Sequence, residues 1–362
     1  MPNAPTRRRL CTALLTVGAG LIVPGVRASR RLSGSRQSLT ALLEAEHQPG
    51  MAAVVVERGR VAETGTAGLC RDASAARVDR HTVFEIGSIT KVFTALLVLR
   101  LRQWGWLDTD APIGRYLDAL PVAWEPITLS RLLSHTSGIP NYLNERNFLE
   151  LMPMDPAPRE LLAMVGKAPL EFAPGTRFAY SNTNYILLGL AIERVTGMDY
   201  WQFLQDEILG PLDMRDAGPR RIGDRRSIAQ GHLYQDGHWL DPPITAPGSA
   251  WAAGGLLASI DDMARFAVAL DRGELLPHAL LREMWRGTRL ADGTTASWGA
   301  GWELAEDGDV VGHGGGTAGF TGYIRHVPSL RRTVVVLVNR AGDIGPQGIA
   351  ERLDQGSRAS KG

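Results

Sequence analysis

The stretch FEIGSITKVFTALLVLRL, residues 84–101, leads from a Gly-Ser pair into a long apolar run and holds one lysine. That lysine, Lys91, follows Ser88 by three residues. Of the 39 lysines and arginines in the chain, only Lys91, Lys167 and Lys361 are lysines. Arginine keeps its proton at physiological pH, whereas lysine can lose it. A lysine at the foot of an apolar helix therefore indicates a need for a titratable amine.

Ser88 and Lys91 have the spacing of a nucleophile and its base. Residues i and i+3 share one face of a helix, so the Lys91 amine can reach the Ser88 hydroxyl. The helix N-terminus favours negative charge on Ser88. A desolvated lysine has a lowered pKa and can accept the serine proton. The alternative, a serine cap followed by a surface lysine, stays open, because S-x-x-K is a common pattern.

A second motif, Tyr180-Ser181-Asn182, stands between the loop FAPGTRF (172–178) and an apolar helix. A tyrosine beside a lysine can share in proton transfer, and an asparagine amide can hold a substrate carbonyl. Ser181 or Asn182 can equally be a helix cap.

The third motif is HGGGTAG, residues 313–319. Glycines in a strand admit another backbone or a ligand, and a free N–H here can complete an oxyanion hole with the Ser88 N–H. The pattern also matches a dinucleotide fingerprint, but a strand follows instead of a helix. A lipase-type oxyanion loop is excluded because the chain has no G-x-S-x-G. A purely structural glycine bulge remains an alternative.

His135, in SHTSGIP (134–140), invites a Ser-His-Asp triad with Ser88. We reject that triad because Ser88 already has a base one turn away, and we expect His135 to pack in a turn. The chain has no H-E-x-x-H, C-x-x-C or Walker A motif, so neither a metal site nor a cofactor is expected.

The N-terminal segment, residues 1–28, has three consecutive arginines, an apolar run and then Val26-Arg27-Ala28, with a small residue at the expected cleavage site. This pattern is typical of a cleaved signal peptide, and TRRRL (6–10) loosely resembles a twin-arginine signal. An uncleaved anchor is the alternative, although the run contains Pro24 and is shorter than the ~20 residues of a spanning helix. We expect a periplasmic or secreted protein with no membrane span in the mature chain.

The composition fits one large domain or two intertwined ones, with 44% hydrophobic and 21% charged residues among 362. The formal charge is +1, and cleavage after residue 28 would remove four arginines and no acid, giving 1 − 4 = −3. Neither value suggests a nucleic-acid partner. Cys11 lies in the signal, so Cys70 would be alone and no disulfide forms within the mature chain.

The order of the secondary-structure patterns predicts one sheet built from both ends of the chain. Residues 36–46 have helical spacing, 51–69 form a hairpin pattern, and about 108–284 are mostly helical. Strand patterns return at the end of the chain, at 308–316, 319–329 and 331–339. Antiparallel pairing of these strands with the N-terminal hairpin would make one sheet with a helical domain inserted.

Taken in order, S-x-x-K, Y-S-N and H-G-G resemble the serine β-lactamase and penicillin-binding-protein superfamily. LLSHTSGIP, FAPGTRFAYSNTNYILLG and AAGGLLASIDDMARFA look like segments of its class C β-lactamase, D-alanyl-D-alanine carboxypeptidase and esterase branch. The resemblance covers about residues 36–342. It implies an α/β (α+β) sandwich of the β-lactamase/transpeptidase-like fold, in which helices flank an antiparallel sheet and a mostly helical domain is inserted. The catalytic unit would span 29–362, with the sheet region at about 29–91 and 285–362 and the inserted helical region at about 92–284.

The resemblance also implies roles for the motif residues. Ser88 would be the nucleophile, Lys91 and Tyr180 would share the base role, and Asn182 would orient the substrate. Gly315 and Gly316 would contact the substrate, with Gly316 giving the second oxyanion N–H. His313 would be a catalytic-site residue that lines the pocket where β-lactamases of this branch usually have lysine, and the loss of that lysine argues against efficient penicillin hydrolysis.

These roles predict an exported serine hydrolase that cleaves an amide or ester of a small molecule or short peptide. Asn182 favours a D-amino-acid peptidase, resembling a carboxypeptidase. A small-ester esterase, a weak β-lactamase and a non-catalytic binding module are the alternatives. The sequence leaves the oligomeric state open.

Overall fold

The computed structural model describes residues 38–72, 75–305, 308–342 and 345–359. The predicted signal peptide, residues 1–28, lies outside the described residues. The strands are β1 (Gly50–Glu57), β2 (Arg60–Arg71), β3 (Ala76–Arg77), β4 (Val83–Glu85), β5 (His232–Gln235), β6 (His238–Leu240), β7 (Leu257–Ser259), β8 (Thr288–Arg289), β9 (Thr295–Ala296), β10 (Glu303–Leu304), β11 (Val311–Gly316), β12 (Thr321–Val327), β13 (Arg332–Val338) and β14 (Arg340–Gly342).

The α-helices of the same residues vary from one turn to about four turns in length. They are α1 (Leu39–Glu44), α2 (Thr90–Gln103), α3 (Leu129–Leu133), α4 (Phe148–Leu151), α5 (Pro158–Ala163), α6 (Asn182–Thr196), α7 (Tyr200–Leu204), α8 (Pro247–Gly254), α9 (Ile260–Arg272), α10 (His278–Met284) and α11 (Pro346–Ala359).

Seven strands form an antiparallel sheet in the order β10-β11-β12-β13-β1-β2-β3. The two ends of the chain meet where β1 pairs with β13, with Val54 opposite Val335. The prediction that N-terminal and C-terminal strands build one antiparallel sheet is therefore confirmed.

The sheet is covered on both faces, which explains why β1 is an almost unbroken apolar run. Successive strand side chains point to opposite faces. Residues 52, 54 and 56 join the large core beneath the helices, whereas residues 51, 53 and 55 join a second core with α1 and α11. A strand with water on one face would alternate apolar and polar residues.

The helical layer centres on three helices that pack against one another, α2, α6 and α8. One helix from the middle of the chain, α9, packs against the sheet at β1 and β13. Ser259 caps α9 and Gly197, with φ 67°, ends α6, as the sequence indicates. The division of the chain at about 92 and 284 stays a prediction.

Two glycines let the start of α2 approach the sheet. A 3₁₀ turn, Gly87–Ile89, precedes the helix. A Cβ on Gly315 of β11 would overlap the carbonyl oxygen of Ile86, and a Cβ on Gly87, which has φ 52°, would lie 2.5 Å from the Gly316 nitrogen. Close packing of turn and strand therefore requires glycine at both places.

Within the described residues no helix is both long and apolar enough to span a membrane. In the same part of the chain, no group of three or more His, Cys, Asp or Glu residues is placed to hold a metal ion.

Candidate active site

Ser88 and Lys91 are brought together as their spacing predicts. Ser88 lies in the 3₁₀ turn and Lys91 in the first turn of α2, with Lys91 Nζ 3.1 Å from Ser88 Oγ. The Lys91 side chain is fully buried. The alternative of a surface lysine is therefore wrong.

The Lys91 amine has two further partners, both acceptors. It donates to Asn182 Oδ1 at 2.7 Å and to the Ala253 carbonyl at 2.6 Å. A neutral amine has two N–H bonds and one lone pair. With both N–H bonds used by these acceptors, the lone pair faces the Ser88 hydroxyl, which is the orientation that a general base needs.

Burial holds the Lys91 pKa well below its ordinary value of 10.5. The amine also lies 4.9 Å from the ring centroid of Tyr180, a contact that favours the ammonium. Such contacts contribute about 0.5–2 kcal/mol. Burial of the ammonium opposes this contact, and the Lys91 pKa is lowered overall, so desolvation outweighs the attraction of the ring.

Tyr180 stands beside this pair, half-buried at the cleft. Burial raises the pKa of its phenol, while a hydrogen bond with Ser88 acts in the opposite direction. The phenol stays protonated at neutral pH. It is therefore suited to pass on a proton, and Lys91 is the better base.

The third motif divides between the cleft and the interior. Gly314 and Gly316 line the cleft, and Gly316 lies beside the Ser88 turn, where its backbone was expected. Gly315, expected as a substrate contact, faces the Ile86 carbonyl instead. Its role in the structure is close backbone approach.

His313 was expected at the pocket wall and is fully buried away from the cleft lining. Its Nδ1 lies 2.6 Å from the Gly314 carbonyl oxygen, and its ring packs edge-on against Trp298. Burial lowers the His313 pKa to about 3. His313 is therefore a neutral ring at physiological pH, because desolvation opposes its charging.

His135 packs in the interior, in agreement with the prediction that it packs in a turn. Its ring stacks on Tyr180 with 4.3 Å between centroids. Its Nδ1 accepts a hydrogen bond from the Ser181 backbone at 3.1 Å. The imidazole thus positions the Tyr180 segment. Ser181 occupies the N-cap position of α6 without a side-chain cap.

Two parts of the site were not found in the sequence. Asn141 Oδ1 accepts from the Asn182 backbone N–H at 2.9 Å and lies 3.3 Å from its side-chain nitrogen, which fixes the amide. Trp251 has φ 34°, an uncommon conformation for a non-glycine residue, in the segment that turns the Ala253 carbonyl toward Lys91. Two features of the sequence could have indicated these parts of the site. Asn141 directly follows the SHTSGIP motif, and the small residues AAGG directly follow Trp251.

A narrow cleft opens over Ser88. One wall is apolar, and none of the described residues that line the cleft carries a formal charge. The lining consists of Ser88, Leu143, Phe148, Met152, Tyr180, Asn182, Ala250, Ala253, Gly254, Gly314, Gly316 and Thr317. An uncharged cleft suits a neutral substrate group better than a carboxylate.

A nucleophile, a buried amine, a phenol and the glycine backbone of β11 thus meet at one cleft. The Beta-lactamase family model matches residues 36–356. The chain belongs to the β-lactamase family. The resemblance and fold inferred from the sequence are confirmed, and the chain is a serine hydrolase of this family.

Relatives of this family member are penicillin-binding proteins and amidohydrolases. Penicillin-binding protein 4 of Amycolatopsis lactamdurans is 30% identical over 325 residues, which cover 84% of each chain. The D-stereospecific amidohydrolase from Streptomyces sp. has a TM-score of 0.72 at 27% identity, covering 88% of this chain and 96% of that one. The octameric penicillin-binding protein homologue from Pyrococcus abyssi has a TM-score of 0.76 at 27% identity, covering 88% and 75%.

Proposed function

We propose that this β-lactamase-family member is an exported hydrolase that cleaves small amides or esters through an acyl-enzyme on Ser88, with amides of D-amino acids as the favoured class. The observation that carries the proposal is the Lys91 amine, which is fully buried and 3.1 Å from Ser88 Oγ. A structural lysine would need no such depressed pKa.

The proposed chemistry begins with proton transfer from Ser88 Oγ to the Lys91 lone pair. The serine oxygen attacks the substrate carbonyl carbon, and the Ser88 and Gly316 backbone N–H groups hold the oxyanion. The intermediate collapses as Lys91 returns the proton through Tyr180 to the leaving nitrogen or oxygen, which departs. A water then attacks the acyl-enzyme and gives a proton to Lys91. The proton returns to Ser88 Oγ as the ester bond breaks, which releases the acid and restores Ser88.

The uncharged cleft supports a neutral amide as substrate. Asn182 can give a side-chain N–H to an acceptor of the substrate other than the scissile carbonyl, and the apolar wall at Leu143, Phe148 and Met152 can take an apolar side chain. A D-stereospecific amidohydrolase is among the similar structures. A carboxylate in the cleft would meet no cation there, so we expect β-lactams and free C-terminal acids to be weak substrates. Small esters, which are neutral, are the second candidate class.

A labelling and turnover experiment tests the proposal. A fluorophosphonate should label one residue, which peptide mapping should place at Ser88, and Ser88→Ala should prevent labelling. Wild type should release many product equivalents from D-phenylalanine amide and fewer from nitrocefin. Labelling at another residue would overturn the nucleophile assignment, and at most one equivalent of product would indicate a binding module.

Export is proposed from residues 1–28. Expression of the full chain should give a periplasmic or secreted protein whose N-terminus lies near Ser29. An intact N-terminus on the exported protein would instead favour an anchor.

A further inference from the structure

Exposed apolar side chains collect in one stretch of the chain, residues 222–244. Eleven large apolar side chains are exposed within the described residues, and four of them lie in this stretch: Ile222, Trp239, Leu240 and Ile244. Exposed apolar side chains that cluster among polar residues mark an interaction surface, whereas a single one does not. None of the four lines the catalytic cleft, so the proposed reaction does not account for them.

Two of these side chains belong to loops that border an open groove outside the catalytic cleft. The groove has a free volume of about 840 Å³. Ile244, which is 68% exposed, lines it within the segment 241–244. Another part of the wall is formed by Arg221 and Gly223, with Ile222 between them in the chain. Each of the two loops therefore carries one exposed isoleucine beside the same groove.

A fixed turn displays the Ile222 side chain. The Asp224 N–H donates to the Arg221 carbonyl at 3.2 Å, and Gly223 has φ 69°, a conformation that favours glycine. Arg226 braces the turn, because its Nε donates to Asp224 Oδ1 at 2.9 Å and its other two nitrogens donate to backbone carbonyls nearby. The relative exposure of Ile222 is 108%, so its side chain projects into solvent from a well-held support.

Arginines surround the two isoleucines, and positive charge is in excess there. Four arginines and three acids line the groove. Two ion pairs neutralise part of this set, Glu85 with Arg220 and Asp224 with Arg226. Arg71, Arg221 and Arg225 are exposed and form no ion pair with any described residue. Against these three arginines stands one acid of the groove lining, Asp241.

The loop face consists of residues 219–227 and 241–244 together with Arg71, and its chemistry favours a lipid surface over a protein partner. Protein interfaces bury aromatic anchors in well-packed pockets, whereas Ile222 is an aliphatic tip with arginines near it on both sides in the chain. A membrane interface is fluid and accepts such a tip, while lipid phosphates attract the arginines. A second copy of the chain would bring two arginine-bearing faces together, which like charges oppose.

We propose that the loop face docks on an anionic lipid surface. The two isoleucines enter the boundary between headgroups and acyl chains, and the three unpaired arginines contact lipid phosphates. Attachment of this kind is peripheral and reversible, and it requires no membrane-spanning helix. It does not depend on acyl transfer at Ser88, so the proposed function and the docking can fail separately.

Vesicle sedimentation tests the apolar part of the loop face. The full chain is mixed with vesicles of phosphatidylcholine and phosphatidylglycerol in equal parts. Ile222→Ser/Ile244→Ser should reduce the partition coefficient at least about tenfold, because two aliphatic side chains no longer leave water. Val61→Ser/Val122→Ser is the matched control, since these valines are 49% and 81% exposed and line no part of the groove. All variants carry the same residues 1–28, so a difference between them reports the loop face.

A second pair of variants tests the charge. Arg221→Ser/Arg225→Ser should weaken binding to the anionic vesicles about fivefold for each arginine and hardly change binding to pure phosphatidylcholine. High salt should remove the difference between this variant and wild type. Arg60→Ser/Arg282→Ser removes two exposed arginines from β2 and α10 that form no ion pair with a described residue. That control should bind as wild type does.

The melting temperature should be the same in all four variants, because the substituted side chains are exposed. Equal binding by wild type and Ile222→Ser/Ile244→Ser, or an equal loss in the valine control, would overturn the docking. So would wild-type binding that shows no preference for anionic vesicles. Sedimentation velocity without lipid should give the same oligomeric state for wild type and the isoleucine variant. A dimer that this variant dissolves would instead assign the loop face to a second copy of the chain.

Discussion

The amine of Lys91 lies 2.7 Å from Oδ1 of Asn182, although 91 positions separate the two residues in the chain. Asn182 offers an acceptor without a negative charge. A carboxylate at this place would stabilise the ammonium, whereas an amide orients the neutral amine toward Ser88. The asparagine of the second motif therefore helps to keep the base deprotonated.

Asn182→Asp tests this relationship through the pH profile. A carboxylate within about 4–6 Å raises a lysine pKa by about 1–3 units. The amine works as a base only above its pKa, so the rising limb of kcat/KM against pH should move by that amount to higher pH. Asn144→Asp, in an exposed loop, adds the same charge and should not move the limb. An unmoved limb in Asn182→Asp would contradict the role of Lys91 as base.

Asp262 should lower stability at neutral pH. Burial, with the neighbouring charge of Asp216, raises the pKa of its carboxyl from 3.8 to about 6. The folded state then holds a proton that the unfolded state has lost, so stability falls as pH rises from about 4 to about 6. Asp262→Asn keeps an acceptor for the Ser259 N–H and should raise the free energy of unfolding at pH 7 by roughly 2–3 kcal/mol. The gain should vanish near pH 4.

Asp261→Asn is the matched control for that prediction. Burial opposes ionisation here as well, but hydrogen bonds and charge from Arg80 and Arg265 lower the Asp261 pKa overall. The stabilisation it gives is present above its unfolded pKa and is lost as the pH falls. Urea denaturation should show Asp261→Asn less stable than wild type at pH 7. The same sign for both variants would contradict the assigned electrostatics.

His313→Asn tests whether the imidazole takes part in proton transfer. With its pKa lowered to about 3, the ring stays neutral between about pH 5 and 8. Asparagine can still donate to the Gly314 carbonyl. We expect kcat/KM to fall by less than about tenfold, which corresponds to less than about 1.4 kcal/mol of activation free energy. The pH profile should keep its shape. Loss of a limb near pH 6–7 would show that His313 titrates in catalysis.

The sequence predicted the parts of the site that depend on spacing within one element. Ser88 and Lys91 meet because i and i+3 share a helix face, and the sheet follows from β-branched runs at both ends of the chain. The Ala253 carbonyl could not be predicted, because a backbone group has no side-chain signature. The burial of His313 depends on Tyr180 and Trp298, which come from other segments of the chain.

Gly315→Ala tests whether the third motif acts through backbone packing. The new Cβ would overlap the Ile86 carbonyl oxygen, which is backbone and cannot move away as a side chain can. Overpacking typically costs about 1–3 kcal/mol, and here relief requires the Ser88 turn to leave the strand. Melting temperature and kcat/KM should therefore fall together. Gly345→Ala places its Cβ in open space and should leave both unchanged. Full activity in Gly315→Ala would show that Ser88 keeps its position without this close contact. Packing against the Ser88 turn would then not be the reason for glycine at position 315.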